Sequence, residues 1–267
     1  MRKTTTQQSG LPRIKRWIKQ HRHSSNPIVR FLVESLIDLA ALFGTLQGIL
    51  TNKQARSVFF LKLLHPRQVH QSTPATAMNR YPVIFSATRN YFAEKKDLRI
   101  LSFGCSTGEE VLSLRYYFPD AIIVGAEINK YSLEICQKRK IDDRMLFTHS
   151  LSGELAKHGP YDAVFCMAVF QRNPQLISGK GITDISKIYP FAMFEKQICE
   201  LDRLLKKGGL FVAHFAQYNF MDTAVASRYR TYGDYNQNDY GPYVFDKNGK
   251  LITSGTERHS IFIKITE

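Results

Sequence analysis

The stretch Leu98-Arg-Ile-Leu-Ser-Phe-Gly-Cys-Ser-Thr-Gly-Glu-Glu110 joins an apolar run, a turn of small residues and the start of a helix. A buried strand that runs straight into such a turn lets a ligand approach the main chain at the strand's carboxyl end. Gly104 and Gly108 carry no Cβ to block that approach. Working outward, Ala121–Glu127 reads as a second strand whose last residue is an acid, about twenty positions after the turn. A carboxylate there is placed to accept hydrogen bonds from both ribose hydroxyls of a nucleoside. Helical segments over 108–118 and 130–139 alternate with apolar runs at 145–149, 163–170 and 209–215. A helix over 191–205 is expected to end at Gly208-Gly209, a hairpin to turn at Asn248-Gly249, and a final strand to follow over 259–266. The alternation predicts an α/β, Rossmann-like, doubly wound domain with a mostly parallel seven-stranded sheet, preceded by an N-terminal helical region.

Strand, glycine turn, helix, strand and acid in that order call for a nucleoside cofactor. A dinucleotide would want G-x-G-x-x-G, whose spacing admits a pyrophosphate at the helix N-terminus. Here the turn is Gly104-Cys105-Ser106-Thr107-Gly108, and Glu109 and Glu110 follow at once. Two carboxylates repel a pyrophosphate, whereas one of them, Glu110 by preference, suits the ammonium group of a methionine moiety. S-adenosyl-L-methionine is therefore the expected cofactor, with Gly104, Ser106 and Gly108 beneath it and Glu127, followed by Ile128, at its ribose.

The run Cys105-Ser-Thr-Gly-Glu-Glu110 resembles the S-T-G-E-E motif of the chemotaxis-receptor glutamate (CheR-type) methyltransferases, a branch of the class I S-adenosylmethionine-dependent enzymes. Thr76-Ala-Met-Asn-Arg80 with Phe85 is similar to that family's T-x-F-F-R segment, which implies that Arg80 holds the cofactor carboxylate. Gly125-Ala-Glu127-Ile-Asn129 is similar to its ribose-binding turn, Tyr161–Cys166 to its fourth-strand motif and Phe211-Val-Ala-His214 to the end of its fifth strand. The resemblance implies cofactor contacts for Cys105, Thr107 and Cys166 as well, and places Ser150 and Leu151 near the adenine. It also departs from the family. Met167-Ala168 stands for an R-N pair, Phe215-Ala216 for S-E, and Ser150 for an asparagine. Cofactor-side residues persist and acceptor-side residues do not, so methyl transfer is expected and a receptor glutamate acceptor is not. His214, at the ligand-bearing end of its strand, is the candidate for orienting the acceptor or taking its proton. Gln171 and Arg172 follow the fourth strand and could touch the acceptor.

The chain carries a net charge of +14, and the charge is lopsided. Up to Ala93, fourteen Lys and Arg face only Glu34 and Asp38, whereas the remainder is nearly balanced. The divisions expected are a basic, disordered arm over 1–26 with a short helix near Ile14–Gln20, a helical region over 27–95 and a cofactor-binding domain over 96–267. Residues 1–30 are a candidate contact for a polyanion or an anionic membrane surface. The apolar run Phe31–Leu50 contains Glu34 and Asp38 one turn apart, so it reads as an amphipathic helix rather than a membrane span. Four scattered cysteines, Cys105, Cys136, Cys166 and Cys199, form no CxxC pair, and no metal-ligand spacing occurs. A reducing cytoplasm, with peripheral membrane association, is the expected location. Five tyrosines between Arg228 and Phe245 suggest either a lid over the acceptor or a solvated connection. Two rival functions remain: an RNA methyltransferase recruited by the basic N-terminus, and a non-catalytic cofactor-binding or membrane-surface protein.

Overall fold

A computed structural model describes residues 11–22, 24–71, 73, 75–237, 243–253 and 257–267. The first ten residues of the basic arm and residues 238–242 of the tyrosine-rich segment lie outside the described residues. The chain divides into two compact units, one ending at Arg56 and one running from Ser57 to Glu267, so the helical stretch 27–95 is shared between them.

In the first unit, α1 (Leu11–His21) packs against α2 (Pro27–Thr51). Asn26 starts α2 by accepting hydrogen bonds from the backbone N–H groups of Ile28 (2.9 Å) and Val29 (3.4 Å), and Pro27 occupies the first helical position. The expected continuous helical region breaks at Asn52. Its backbone is extended, and its side chain caps α3 (Lys53–Leu64) through the N–H groups of Gln54 and Ala55. No helix among the described residues is long and apolar enough to cross a membrane.

The second unit is built on a seven-stranded sheet: β1 (Arg99–Phe103), β2 (Ile122–Glu127), β3 (Met145–His149), β4 (Tyr161–Met167), β5 (Leu205–His214), β6 (Tyr229–Thr231) and β7 (Ile261–Lys264). The spatial order is β3-β2-β1-β4-β5-β7-β6, with β1 to β5 mutually parallel. β7 runs antiparallel between β5 and β6. The chain winds outward from β1 to β3, then returns to lay β4 on the other side of β1. The crevice between the carboxyl ends of β1 and β4 is thus the topological switch point where open α/β sheets bind ligands. Helices α4 (Pro82–Tyr91), α5 (Glu109–Tyr117), α6 (Lys130–Lys138), α7 (Ser152–His158), α8 (Pro174–Gly179) and α9 (Phe191–Asp202) connect or cover the strands.

β4 is buried throughout and, apart from one residue, apolar, as a central parallel strand should be. Its one acid, Asp162, is fully buried. It accepts hydrogen bonds from the Arg99 N–H (2.8 Å), Lys95 (2.8 Å) and Lys206 (3.0 Å). Burial alone would raise its carboxyl, but these donors outweigh it and hold the carboxyl below its usual range. Asp162 ties together the amino-terminal ends of β1 and β4, away from the strands' carboxyl ends. Gly208-Gly209 do not cap the preceding helix. α9 ends at Asp202, and both glycines lie inside β5, where Gly208 has φ +76° and the register with β4 shifts. A strand bulge accounts for them. The expected turn at Asn248-Gly249 is present, with Phe245 bridged to Leu251.

Candidate functional site

The turn after β1 is held by main-chain bonds that only an unusual backbone allows. The N–H groups of Gly104 and Cys105 both donate to the carbonyl of Ala126 on β2, at 2.8 and 3.1 Å. Gly104 has φ +75°, and a Cβ there would lie 2.7 Å from the Val169 side chain. Ser106 also has positive φ (52°) and turns its N–H onto the Glu127 carboxylate at 2.8 Å. The other Glu127 oxygen accepts from the Asn129 N–H at 2.8 Å. Each oxygen keeps lone pairs for further donors. Burial pushes the Glu127 carboxyl up, opposed by these N–H groups.

Positive φ at a residue with a side chain recurs at the ends of two neighbouring strands, at Ala168 (57°) after β4 and Phe215 (56°) after β5. Together with Ser106, all three face one cavity of about 430 Å³, within the ~300–1,000 Å³ typical of small-molecule sites. Strained backbone concentrated at one place marks a functional site more often than it marks chance.

Eight of the sequence-derived cofactor residues line this cavity: Arg80, Gly104, Cys105, Ser106, Glu110, Glu127, Ile128 and Ser150. Glu110 is half-buried in the cavity wall, accepting from the Ser102 hydroxyl at 2.7 Å. Burial pushes its carboxyl up to about 8, against the opposing pull of Ser102 and the Arg80 charge. Arg80 lies over the Tyr81 ring, 5.2 Å from its centroid, and donates to the Ala75 carbonyl. The Ser106 hydroxyl oxygen is buried without a hydrogen-bond partner. Glu109 points elsewhere, accepting from Thr107 and pairing with Arg139.

Five sequence-derived residues fall off the cavity wall. Thr107 is committed to Glu109. A Cβ on Gly108, at φ +95°, would meet the Cys136 sulfur at 3.4 Å, so this glycine serves the packing of α5 on α6. Cys166 is wholly buried in the core cluster with Leu101 and Phe211. Leu151 lines a smaller adjoining cavity of about 200 Å³ that shares Ile128 and Ser150 with the first. His214 is buried, bonded through Nδ1 to the Ser260 hydroxyl (2.8 Å) and flanked by the Tyr81 and Phe215 rings. Those two rings face the cavity; His214 does not.

Tyr81, Phe85, Met167, Phe215 and Gln171 also line the cavity. Arg172 does not reach it: its guanidinium donates to the carbonyls of Val69, His70 and Ile188 and fastens the segment after α3. That segment supplies residues the sequence gave no reason to pick, including Gln68, His70 and Gln71. His70 is bonded to the Tyr189 hydroxyl at 2.9 Å, and burial lowers its imidazole to about 4, so it is neutral at physiological pH. A polar connection of this length between two helices was the available hint. Of the tyrosine-rich segment, Tyr229 is buried on Asp202 and Tyr232 stacks on Tyr235. The fold also brings together groups whose spacing showed nothing. The Cys105 and Cys136 sulfurs lie 3.9 Å apart. Asp234, Glu257 and His259 place ligand atoms within 4.8 Å of one another, and none of the three lines the cavity.

No known family's sequence profile matches the chain, and no curated protein sequence does. Solved structures do. The chain is similar to precorrin-6y C5,15-methyltransferase from Geobacter metallireducens GS-15, at 19% identity over 52% of this chain and 65% of that one, with a TM-score of 0.35. It is similar to a SAM-bound amino pentose methyltransferase from Micromonospora echinaspora, at 17% identity over 52% of this chain and 50% of that one, with a TM-score of 0.36. It is also similar to the plantazolicin methyltransferase solved with SAH, at 15% identity, 67% and 59% coverage and a TM-score of 0.34. The chain spans between half and just under two thirds of the length of these structures.

Proposed function

We propose that this chain is a class I S-adenosylmethionine-dependent methyltransferase acting on an oxygen or nitrogen nucleophile of a protein or small molecule. The observation that carries the reading is a single cavity holding Glu127, for a sugar diol, together with the acid Glu110 and the base Arg80, for the two ends of an amino-acid zwitterion. A nucleoside and an amino acid in one ligand describe this cofactor and exclude a dinucleotide. The residues fit the group in a further respect: the partnerless Ser106 hydroxyl and the Cβ-free wall at Gly104 are what a close-lying polar ligand would use. When bound, S-adenosylmethionine supplies an electrophilic methyl group on a sulfonium centre.

The protein's part is to bind, align and exclude water. Glu127 takes the ribose hydroxyls, Glu110 the ammonium and Arg80 the carboxylate, while Ile128 and Ser150 sit at the base. Tyr81, Phe85, Met167 and Phe215 form an apolar, aromatic face for the acceptor, which argues for a flat or apolar body around the nucleophile. Such a face favours an acceptor other than a receptor glutamate. His214 acts as a positioning residue, holding Tyr81 and Phe215 from behind. Calorimetric titration with S-adenosylmethionine tests the reading; no heat at millimolar cofactor removes it. A heavy-methyl cofactor with mass spectrometry of the products then names the acceptor.

A further inference from the structure

The first unit has an unusual surface. α2 is 25 residues long, about 37 Å, and Val33 is its one buried side chain. Ile28, Leu32, Leu39, Phe43, Leu46 and Leu50 are between 49% and 77% exposed. At 100° per residue these six fall within an arc of about 60°. The charged residues of α2, Arg30, Glu34 and Asp38, lie on the opposite side at successive turns, and Arg30 pairs with Glu34. An apolar stripe this continuous on an exposed helix marks a contact surface.

α1 says what kind. It holds Arg13, Lys15, Arg16 and Lys19, all exposed, and no acid; Arg22 follows it. Ile14 and Trp17 are exposed on its other side. Between Leu11 and Arg56, eight Lys and Arg face two acids. We infer that α1 and α2 lie in the plane of an anionic lipid surface, with the α2 stripe and the Ile14–Trp17 face in the acyl boundary and the α1 cations on the headgroups. Charge decides the occupant. A second copy of the chain would bring eight cations against eight, whereas an anionic leaflet neutralises them. A nucleic acid would use the cations and leave the apolar stripe in water. Basic charge combined with an apolar face is the pair of signals that stable peripheral binding requires. Because no described helix can cross a bilayer, the geometry is surface-parallel.

Trp17 is the chain's single tryptophan, so the full-length protein carries its own probe. The experiment is co-sedimentation with vesicles of neutral phosphatidylcholine, with and without about one third phosphatidylglycerol, read alongside Trp17 emission. Binding to the anionic vesicles at least about tenfold tighter than to neutral ones, weakened by salt and with a blue-shifted Trp17, supports the inference. Two variants at exposed positions, Leu39→Glu with Phe43→Glu, and Arg13→Gln with Arg16→Gln and Lys19→Gln, should each lose about tenfold or more while keeping the parent's melting temperature. No binding by the parent protein overturns the inference, as does equal binding to neutral vesicles. Undiminished vesicle binding by the Leu39/Phe43 variant, or RNA binding in its place, would show that the cations alone matter. A dimer that dissociates in that variant, with vesicle binding unchanged, would assign the stripe to a second copy.

Discussion

On the β1–β2 side the cavity-lining turn is fixed through its main chain: the N–H groups of Gly104 and Cys105 hold the Ala126 carbonyl, and those of Ser106 and Asn129 hold the Glu127 carboxylate. On the β4–β5 side the wall is side chains, Met167, Phe215 and Gln171, met by Tyr81 and Phe85 from α4 and the residue before it. A wall of main chain tolerates few sequences, because each position fixes a φ angle or a close approach. A wall of side chains can be rebuilt for a new acceptor without disturbing the turn beside it. That difference explains how a wall whose turn and acid follow a legible motif can sit next to a wall that follows none.

The largest expected effect breaks the main-chain side. Glu127→Ala removes the acceptor of two backbone N–H groups and of the sugar, and should weaken S-adenosylmethionine binding about 100-fold, or about 2.7 kcal/mol. Calorimetry that finds less than a fivefold loss would mean the nucleoside lies elsewhere.

A second effect is pH-dependent. Free Glu110 stays protonated up to about pH 8, whereas pairing with an ammonium group requires the carboxylate. Cofactor affinity should therefore rise with pH between about 5.5 and 7.5, by up to tenfold per unit, and the slope should flatten in Glu110→Gln. The same raised carboxyl has the opposite sign for stability. The folded state holds this proton where the unfolded state has released it, so without cofactor Glu110 costs stability as pH climbs from about 4.5 through 8. A melting curve for Glu110→Gln that no longer falls over that window checks this half.

On the side-chain wall, Phe215→Ala should lower kcat/KM for the acceptor about tenfold while leaving cofactor affinity within about threefold. Equal losses in both would show that the two walls are not independent. The smallest effect sharpens the contrast: Ser106→Ala deletes a buried hydroxyl that has no partner, so it should raise free-protein stability by about 0.5 kcal/mol and cost about threefold in cofactor affinity. A differential melt with and without cofactor separates the two.

The same contrast governed what could be read from residues alone. β1 and β3 fall where their apolar runs ended, and α5 and α6 begin where a turn or an Asn cap sits in the sequence. The cavity's Gly104, Ser106, Glu110 and Glu127 were legible because a strand–turn–helix unit fixes them relative to one another. His214 was misjudged because residue order showed the end of β5 but not the two rings that cover it. Gly108 reads as a ligand-side glycine only while its spatial neighbour Cys136, on the following helix, is out of view. Gln68, His70 and Gln71 were invisible because their place depends on Arg172, distant in sequence, gripping the carbonyls of Val69 and His70. Side-chain convergence across the fold leaves no local trace.

The antiparallel edge has a consequence for how the molecule comes to exist. β6 is made roughly thirty residues before β7, yet β7 is what it pairs with, and β7 must slip between it and β5. Until that happens the growing polypeptide carries an open β5 flank beside the finished turn after β1. That waiting edge is open to mispairing until β7 arrives to fill the gap and complete the native order.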